Sequence, residues 1–259
     1  MSLFYLSAEE EKIILKSPQE IEKMRRSNQI VAEILAEIKE AVRPGITTRD
    51  LEELAEELLA KKKAKPAFKG YNGFPAALCT SVNEEIVHGI PSERVLKEGD
   101  ILSLDFGVIY DDFYGDAAIT LPVGQVSPEA ARLMRVAEEA LYLAIEQARP
   151  ENRLQDISAA IQRYVESQGF SVVRDFVGHG IGKHLHEKPQ VPNFGLPGRG
   201  IRLRPGMTLA IEPMINAGGH EVEILEDGWT AVTKDRSLSA HFEHSVAITE
   251  NGPDILSKI

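Results

Sequence analysis

A single cysteine, Cys79, stands in the chain, so neither an intrachain disulfide nor a multi-thiolate metal site is open to it. No apolar run approaches the ~18 residues that a membrane-spanning helix needs. The opening MSLFYLSAEEEK turns acidic too early for a secretory signal, so cytoplasmic residence is expected. Positive charge is also short. Against 40 Asp and Glu there are 29 Lys and Arg, a net charge of −11, which argues against DNA or RNA as a partner, because that affinity rests on basic side chains neutralising phosphates. With 43% hydrophobic and 27% charged residues the composition is globular rather than disordered. The 259 residues suffice for one large domain or two small ones with a substantial core.

What is present is said twice. Ser17-Pro18 opens a helical pattern, with Glu20 completing a capping box and Pro18 at the first helical position; Ser127-Pro128 opens another. The first runs to about Val42 before Arg43-Pro44, the second to about Ala148 before Arg149-Pro150. Further helices are predicted over 48–62 and 154–168, beginning near Asp50-Leu51 and Asp156-Ile157. Each half then offers His-Gly-Ile, at His88 and at His179. Leu96-Lys97-Glu98-Gly99 leads to Asp105, and Leu203-Arg204-Pro205-Gly206 leads to Glu212 at the same interval. The expectation is one α+β domain, a curved, mainly antiparallel sheet backed by four helices, built from pseudo-two-fold halves at about 17–121 and 127–249.

Five residues, Asp105, Asp116, His179, Glu212 and Glu243, carry the chemistry. The four carboxylates lie in or beside strand-like apolar segments with few cations near them, and a buried carboxylate is costly unless paired or coordinated to a metal. Two divalent ions would balance four carboxylates and leave a neutral imidazole. Oxygen-rich ligation with one His suits Mn, Fe, Co or catalytic Zn, and metal-activated hydrolysis follows. Ile101–Ile109 alternates, with Asp105 on one face. If Tyr110–Phe113 turns through a two-residue loop, Asp105 and Asp116 share a face; a three-residue loop would separate them. Glu212 follows the strand-like 207–211, and Glu243 sits in a predicted strand over 239–249 with His241 and Ser245 on its face. Taken singly, each acid could be a solvated strand residue. The segment VGHGIGKHLHE fits neither a P-loop nor a complete dinucleotide fingerprint, so its glycines are read as close backbone packing around His179. His184 and His220 are read as surface residues.

Assembled, these residues resemble the type I methionine aminopeptidases, the single-domain members of the pita-bread metallopeptidases. The resemblance runs from about Ser17 to Leu256, on GYNGFPAALCTSVNEEIVHGIP, LSLDFGVIYDDFYGDAAIT, GHGIGKHLHEKPQVPNFG, GMTLAIEPMIN and WTAVTKDRSLSAHFEHSVAIT. It implies removal of the N-terminal methionine from nascent proteins and peptides, with a small second residue preferred. It implies two divalent metals (Co, Mn, Fe or Zn) activating a bridging water that attacks the methionyl carbonyl. Asp105 would chelate one metal, His179 and Glu212 the other, with Asp116 and Glu243 touching both. His186 would hydrogen-bond the carbonyl oxygen, His88 would contact the leaving amide nitrogen, and Glu212 would shuttle the proton. Tyr71, Phe74, Cys79 and Trp229, with Phe68 and Leu185 nearby, would form the methionine pocket.

The resemblance further implies nascent polypeptide N-termini as substrate; transient ribosome association and a monomer are expected with it, although a net charge of −11 argues against broad contact with rRNA, and charge and hydropathy leave no DNA or membrane partner expected. The chain has no cysteine-rich zinc-binding extension and no room between His186 and Glu212 for the insertion of type II enzymes, as in the minimal bacterial or organellar form. Two other readings are an Xaa-Pro peptidase, for which about 100 residues before Asp105 leave no room for the usual additional domain, and a non-catalytic binding relative, which would have lost ligands that stand intact here. Ser2 is small, so Met1 is itself a candidate substrate.

Overall fold

A computed structural model of the protein describes residues 13–258; the expectations for Met1 and Ser2 lie outside them. Helix α1 spans Pro18–Ala41, with Ser17 and Glu20 forming the reciprocal capping box and Pro18 in the first turn. A second box, Thr47 with Asp50, starts α2 (Thr48–Lys62). Ser127 caps α3 (Pro128–Glu146), and the Asp156 carboxylate accepts the Arg153 N–H at the start of α4 (Leu154–Ser167). Each cap satisfies backbone donors that the first helical turn leaves free. All four helices stand within one or two residues of where the sequence puts them.

The first half contributes strands β1 (Lys65–Pro66), β2 (Leu78–Val82), β3 (Glu85–Val87), β4 (Ile101–Tyr110) and β5 (Phe113–Pro122). The second contributes β6 (Ser171–Val172), β7 (Gly178–Gly180), β8 (Glu187–Val191), β9 (Thr208–Ile211), β10 (Met214–Asn216), β11 (Val222–Ile224), β12 (Ala231–Thr233), β13 (Ser239–His241), β14 (Glu243–Thr249) and β15 (Gly252–Ile255). Among the described residues the main sheet has nine strands, in the order β1-β4-β5-β14-β9-β7-β8, with β2 on β4 and β15 on β14. Its pairings are antiparallel. Two three-stranded sheets, β13-β10-β6 and β11-β12-β3, complete the fold.

Apolar burial follows the halves. One core cluster joins Val31, Ile34 and Ile38 of α1 and Leu51 of α2 to Leu102, Leu104 and Phe106 of β4. A larger one joins Leu133 and Ala137 of α3 and Ile157 and Ile161 of α4 to Leu209, Val246 and Ile248. A third, with Met24, Phe68, Phe74, Cys79 and Leu185, lies where the halves meet. No helix of the described residues is long and apolar enough to cross a membrane.

Two expectations are corrected. The strand expected over 239–249 is two strands: the chain breaks pairing at Phe242, so β13 hydrogen-bonds β10 while β14 enters the main sheet between β5 and β9. The His-Gly-Ile match does not relate equivalent positions. His179 lies on β7 beside β9, where the first half places β2 beside β4. Gly89 lies one chain further out, its carbonyl accepting the Thr80 N–H of β2.

Candidate metal centre

The β4–β5 hairpin closes through Asp111 and Asp112, both at positive φ (50° and 65°), and Tyr110 pairs with Phe113. This is the two-residue loop geometry. The register runs Asp105↔Ala118 and Gly107↔Asp116, so the two aspartates are diagonal neighbours on one face. Across the seam, Glu243 pairs with Ala118 and joins that face from β14. Glu212 comes at the end of β9, whose Ile211 pairs with His244. His179 comes from β7, where a Cβ on Gly178 would lie 2.4 Å from the Ala210 carbonyl oxygen and one on Gly180 2.3 Å from that of Lys188. Glycine on both sides therefore lets β7 press against β8 and β9, which brings the imidazole to the acids.

The five side chains line one cavity of about 210 Å³. Asp116, His179 and Glu243 offer ligand atoms all within 4.8 Å of one another. The His179 Nε2 is 3.5 Å from Glu212 Oε1. His179 Nδ1 lies 2.9 Å from the Gly180 carbonyl oxygen, which can only accept, so Nδ1 carries the proton and Nε2 presents a lone pair. Asp105 Oδ1, Asp116 Oδ1 and Glu243 Oε1 are buried without a hydrogen-bond partner. Native proteins rarely leave such atoms unpaired, and this donor set, acceptor oxygens with one imidazole nitrogen, fits divalent metal ions.

Without a metal the acids are strongly perturbed. Burial pushes Asp105 up to about 7, against an opposing pull from His241. Burial also drives Asp116 well above the usual carboxylate range, and the charge of Asp105 adds to it. Glu212 and Glu243 rise well above their ordinary value for the same first reason. Desolvation holds His179 neutral, down to about 3, and His88 down to about 4.

The rest of the cavity wall is aromatic and aliphatic. Phe68, Tyr71, Phe74, Cys79, Leu185 and Trp229 all line it, and Trp229 meets Phe74 edge-on with ring centroids 5.2 Å apart. Cys79 is buried, and desolvation raises its thiol well above the ordinary value, so it is an apolar wall rather than a nucleophile. His186 sits where Tyr71 Oη is 2.7 Å from its Nδ1, its ring centroid 4.3 Å from that of His179. His88 follows β3 with φ +62°, a left-handed backbone uncommon outside glycine, and its ring meets Phe176 edge-on at 5.4 Å. Every candidate site residue thus faces the same space. His184 is exposed and His220 half-buried, both away from it.

Two neighbours were not among the expected site residues. His241 is 1% exposed, its Nε2 is 3.6 Å from Glu212 Oε2, and neither ring nitrogen has a hydrogen-bond partner. Its spacing of two from Glu243 was the available signal. Phe176 also lines the cavity; it immediately precedes the VGHGIGKHLHE segment, and that adjacency was its signal.

Comparison with known proteins identifies the family. The model of metallopeptidase family M24 matches residues 22–250. The methionine aminopeptidase of Clostridium perfringens is 56% identical over 247 residues, covering 95% of this chain and 99% of that one. Methionine aminopeptidase 1 of Bacillus subtilis is 53% identical, over 95% and 100%. The crystal structure of methionine aminopeptidase from Thermotoga maritima superposes with a TM-score of 0.94 at 53% identity, over 96% of this chain and 100% of that one. The prolidase from Pyrococcus horikoshii, at 22% identity and a TM-score of 0.78, shares the pita-bread fold, the curved antiparallel sheet backed by four helices. Matched over nearly its whole length, the chain belongs to metallopeptidase family M24, in its type I methionine aminopeptidase group.

Proposed function

We propose that the protein removes the N-terminal methionine from polypeptide chains, preferring a small second residue, with two divalent metals held by Asp105, Asp116, His179, Glu212 and Glu243. The observation that carries this reading is the junction of unpartnered buried carboxylate oxygens with an apolar, aromatic-walled recess in one cavity. When bound, the metals would supply Lewis acidity and lower the pKa of water toward neutrality.

The protein's own groups divide the remaining work. Phe68, Tyr71, Phe74, Cys79, Leu185 and Trp229 receive the methionine side chain, whose thioether suits aromatic edges. Tyr71 occupies one nitrogen of His186, leaving the other to donate to the substrate carbonyl oxygen as negative charge develops. His88, held neutral by burial, contacts the amide nitrogen that leaves. Glu212, whose carboxylate reaches the cavity with Oε1 3.5 Å from His179 Nε2, takes the proton from the attacking water and delivers it to the leaving amine.

The test is hydrolysis of Met-Ala-Ser by chelator-stripped protein, titrated separately with Mn²⁺, Fe²⁺, Co²⁺ and Zn²⁺, with Met-Lys and Met-Leu peptides in parallel. Metal-dependent release of methionine, selective for the small second residue, is expected. Comparable rates across the peptides, or no release with any metal from folded protein, would overturn it.

A further inference from the structure

A buried ion pair stands outside the metal centre. The Lys16 ammonium, on the segment that precedes α1, contacts the Glu187 carboxylate, and the two side chains are 3% and 4% exposed. Two fully desolvated opposite charges in contact are costly to separate, because removing one leaves the other buried and unpaired. Such a pair therefore fixes the position of whatever carries it.

Glu187 is the residue after His186. Its other carboxylate oxygen accepts the His184 N–H at 3.2 Å, and the Gly182 N–H donates to the His184 carbonyl at 3.1 Å. The pair thus organises the turn that presents Leu185 and His186 to the cavity. The opposite side is equally constrained. Lys16 Nζ also donates to the Ile14 carbonyl at 3.1 Å, and the Lys16 N–H donates to the Gly206 carbonyl at 2.7 Å. A Cβ on Gly182 would lie 2.4 Å from the Lys16 Cε, so the turn and the lysine stem pack in direct contact.

We infer that Lys16 is a positioning residue: through Glu187 it holds the 182–187 turn so that His186 meets the substrate carbonyl. The segment before α1 is thereby part of the working site rather than a tail beside it. The inference deepens the proposed aminopeptidase reading and rests on it for the role of His186, but the placement of the turn can be read without turnover.

The experiment compares Lys16→Met, Glu187→Gln and the double variant, in the metal-loaded full chain. Amide exchange at 182–187 is read alongside kcat and KM on Met-Ala-Ser. Each single variant is expected to speed exchange at His184 at least ~10-fold and to lower kcat by ~10–100-fold with little change in KM, since small misplacements of a catalytic group cost about that much. The double variant, which leaves no buried charge unpaired, should recover most of both. Exchange unchanged in the single variants would overturn the inference, whatever the activity. Faster exchange with kcat unchanged would reduce the pair to a structural role and overturn it too. Loss not recovered in the double variant would show that the two residues act separately and not as a pair. If the unaltered protein releases no methionine while exchange responds as expected, the placement of the turn stands and the peptidase reading fails.

Discussion

The four carboxylates of the candidate metal centre are the residues at which function and stability pull apart. Asp105, Asp116, Glu212 and Glu243 all have pKa values raised by burial above the ordinary 3.8 or 4.5. A carboxyl raised in this way favours the folded state at low pH and loses that contribution as pH climbs from its unfolded value through its folded one. His88, His179, His186, His241 and His244 are lowered by burial from 6.5; their contribution is complete above 6.5 and fades as pH falls. The two sets oppose each other between about pH 4 and 6.5, but above 6.5 only the carboxylates act. Metal-free protein should therefore lose stability from pH 6.5 to 8, by up to about 1.4 kcal/mol per pH unit for each carboxyl still protonated. Bound metal, which keeps the carboxylates ionised, should flatten that slope. Asp105→Asn should flatten part of it without metal, while lowering peptidase activity by about two orders of magnitude or more. Denaturant melts at pH 6.5 and 8 decide the matter; a metal-free slope of zero or of opposite sign would refute it. The acids themselves were legible because a charge in an apolar strand needs a cause. His241 was legible as a neighbour of Glu243 but not as a partner of Glu212, because that link crosses from β13 to the end of β9.

At the scale of elements, legibility followed locality. The capping residues of α1 announced its start, whereas the shared face of Asp105 and Asp116 was legible only for a two-residue loop, which the Tyr110–Phe113 pairing shows the hairpin to have. The break at Phe242 was illegible, since an alternating apolar pattern does not say which sheet each part will join. The loop of that hairpin carries a local cost. Asp111 and Asp112 both occupy left-handed backbone, where glycine is favoured at the second position, and Asp111 also pairs with Lys23 at 2.9 Å on the surface. Asp112→Gly should relieve the strain and keep that pair, stabilising the protein by about 0.5–1 kcal/mol. That corresponds to a rise in Tm of roughly 1–4 °C for a domain of this size. Metal affinity should stay within twofold, because the register of β4 on β5 is unchanged. A lower Tm, or a weakened metal site, would show that the turn is held by its aspartate side chains rather than merely tolerating them.

On the whole-molecule scale, the halves meet at a thin seam. β5 and β14 are the central strands, yet their ladder comprises only Glu243↔Ala118 and His244↔Ala117, whereas β4 and β5 pair along their full length. Each half keeps its main apolar cluster on its own helices. We propose that residues 17–121 and 127–249 are one structural unit used twice, supported by the matching order of helix pair and hairpin-like strands on either side of that seam. Asp105 and Asp116 belong to the first unit, and His179, Glu212 and Glu243 to the second, so metals shared among the five would join the units where backbone pairing is sparse. Metal at one hundred times its Kd should then stabilise the folded chain by about 2.7 kcal/mol, a rise in Tm of roughly 5–11 °C. Truncating a ligand on either side of the seam, with Asp116→Ala or Glu243→Ala, should abolish most of that rise. Truncating His244, which pairs opposite Ala117 but binds Ser257 through Nδ1 at 2.8 Å, should leave the metal-induced rise largely intact. Scanning calorimetry with and without metal measures all of these. A rise that survives loss of the ligands from one half would mean that the metal is held within the other half alone, and the seam would need another explanation for its stability.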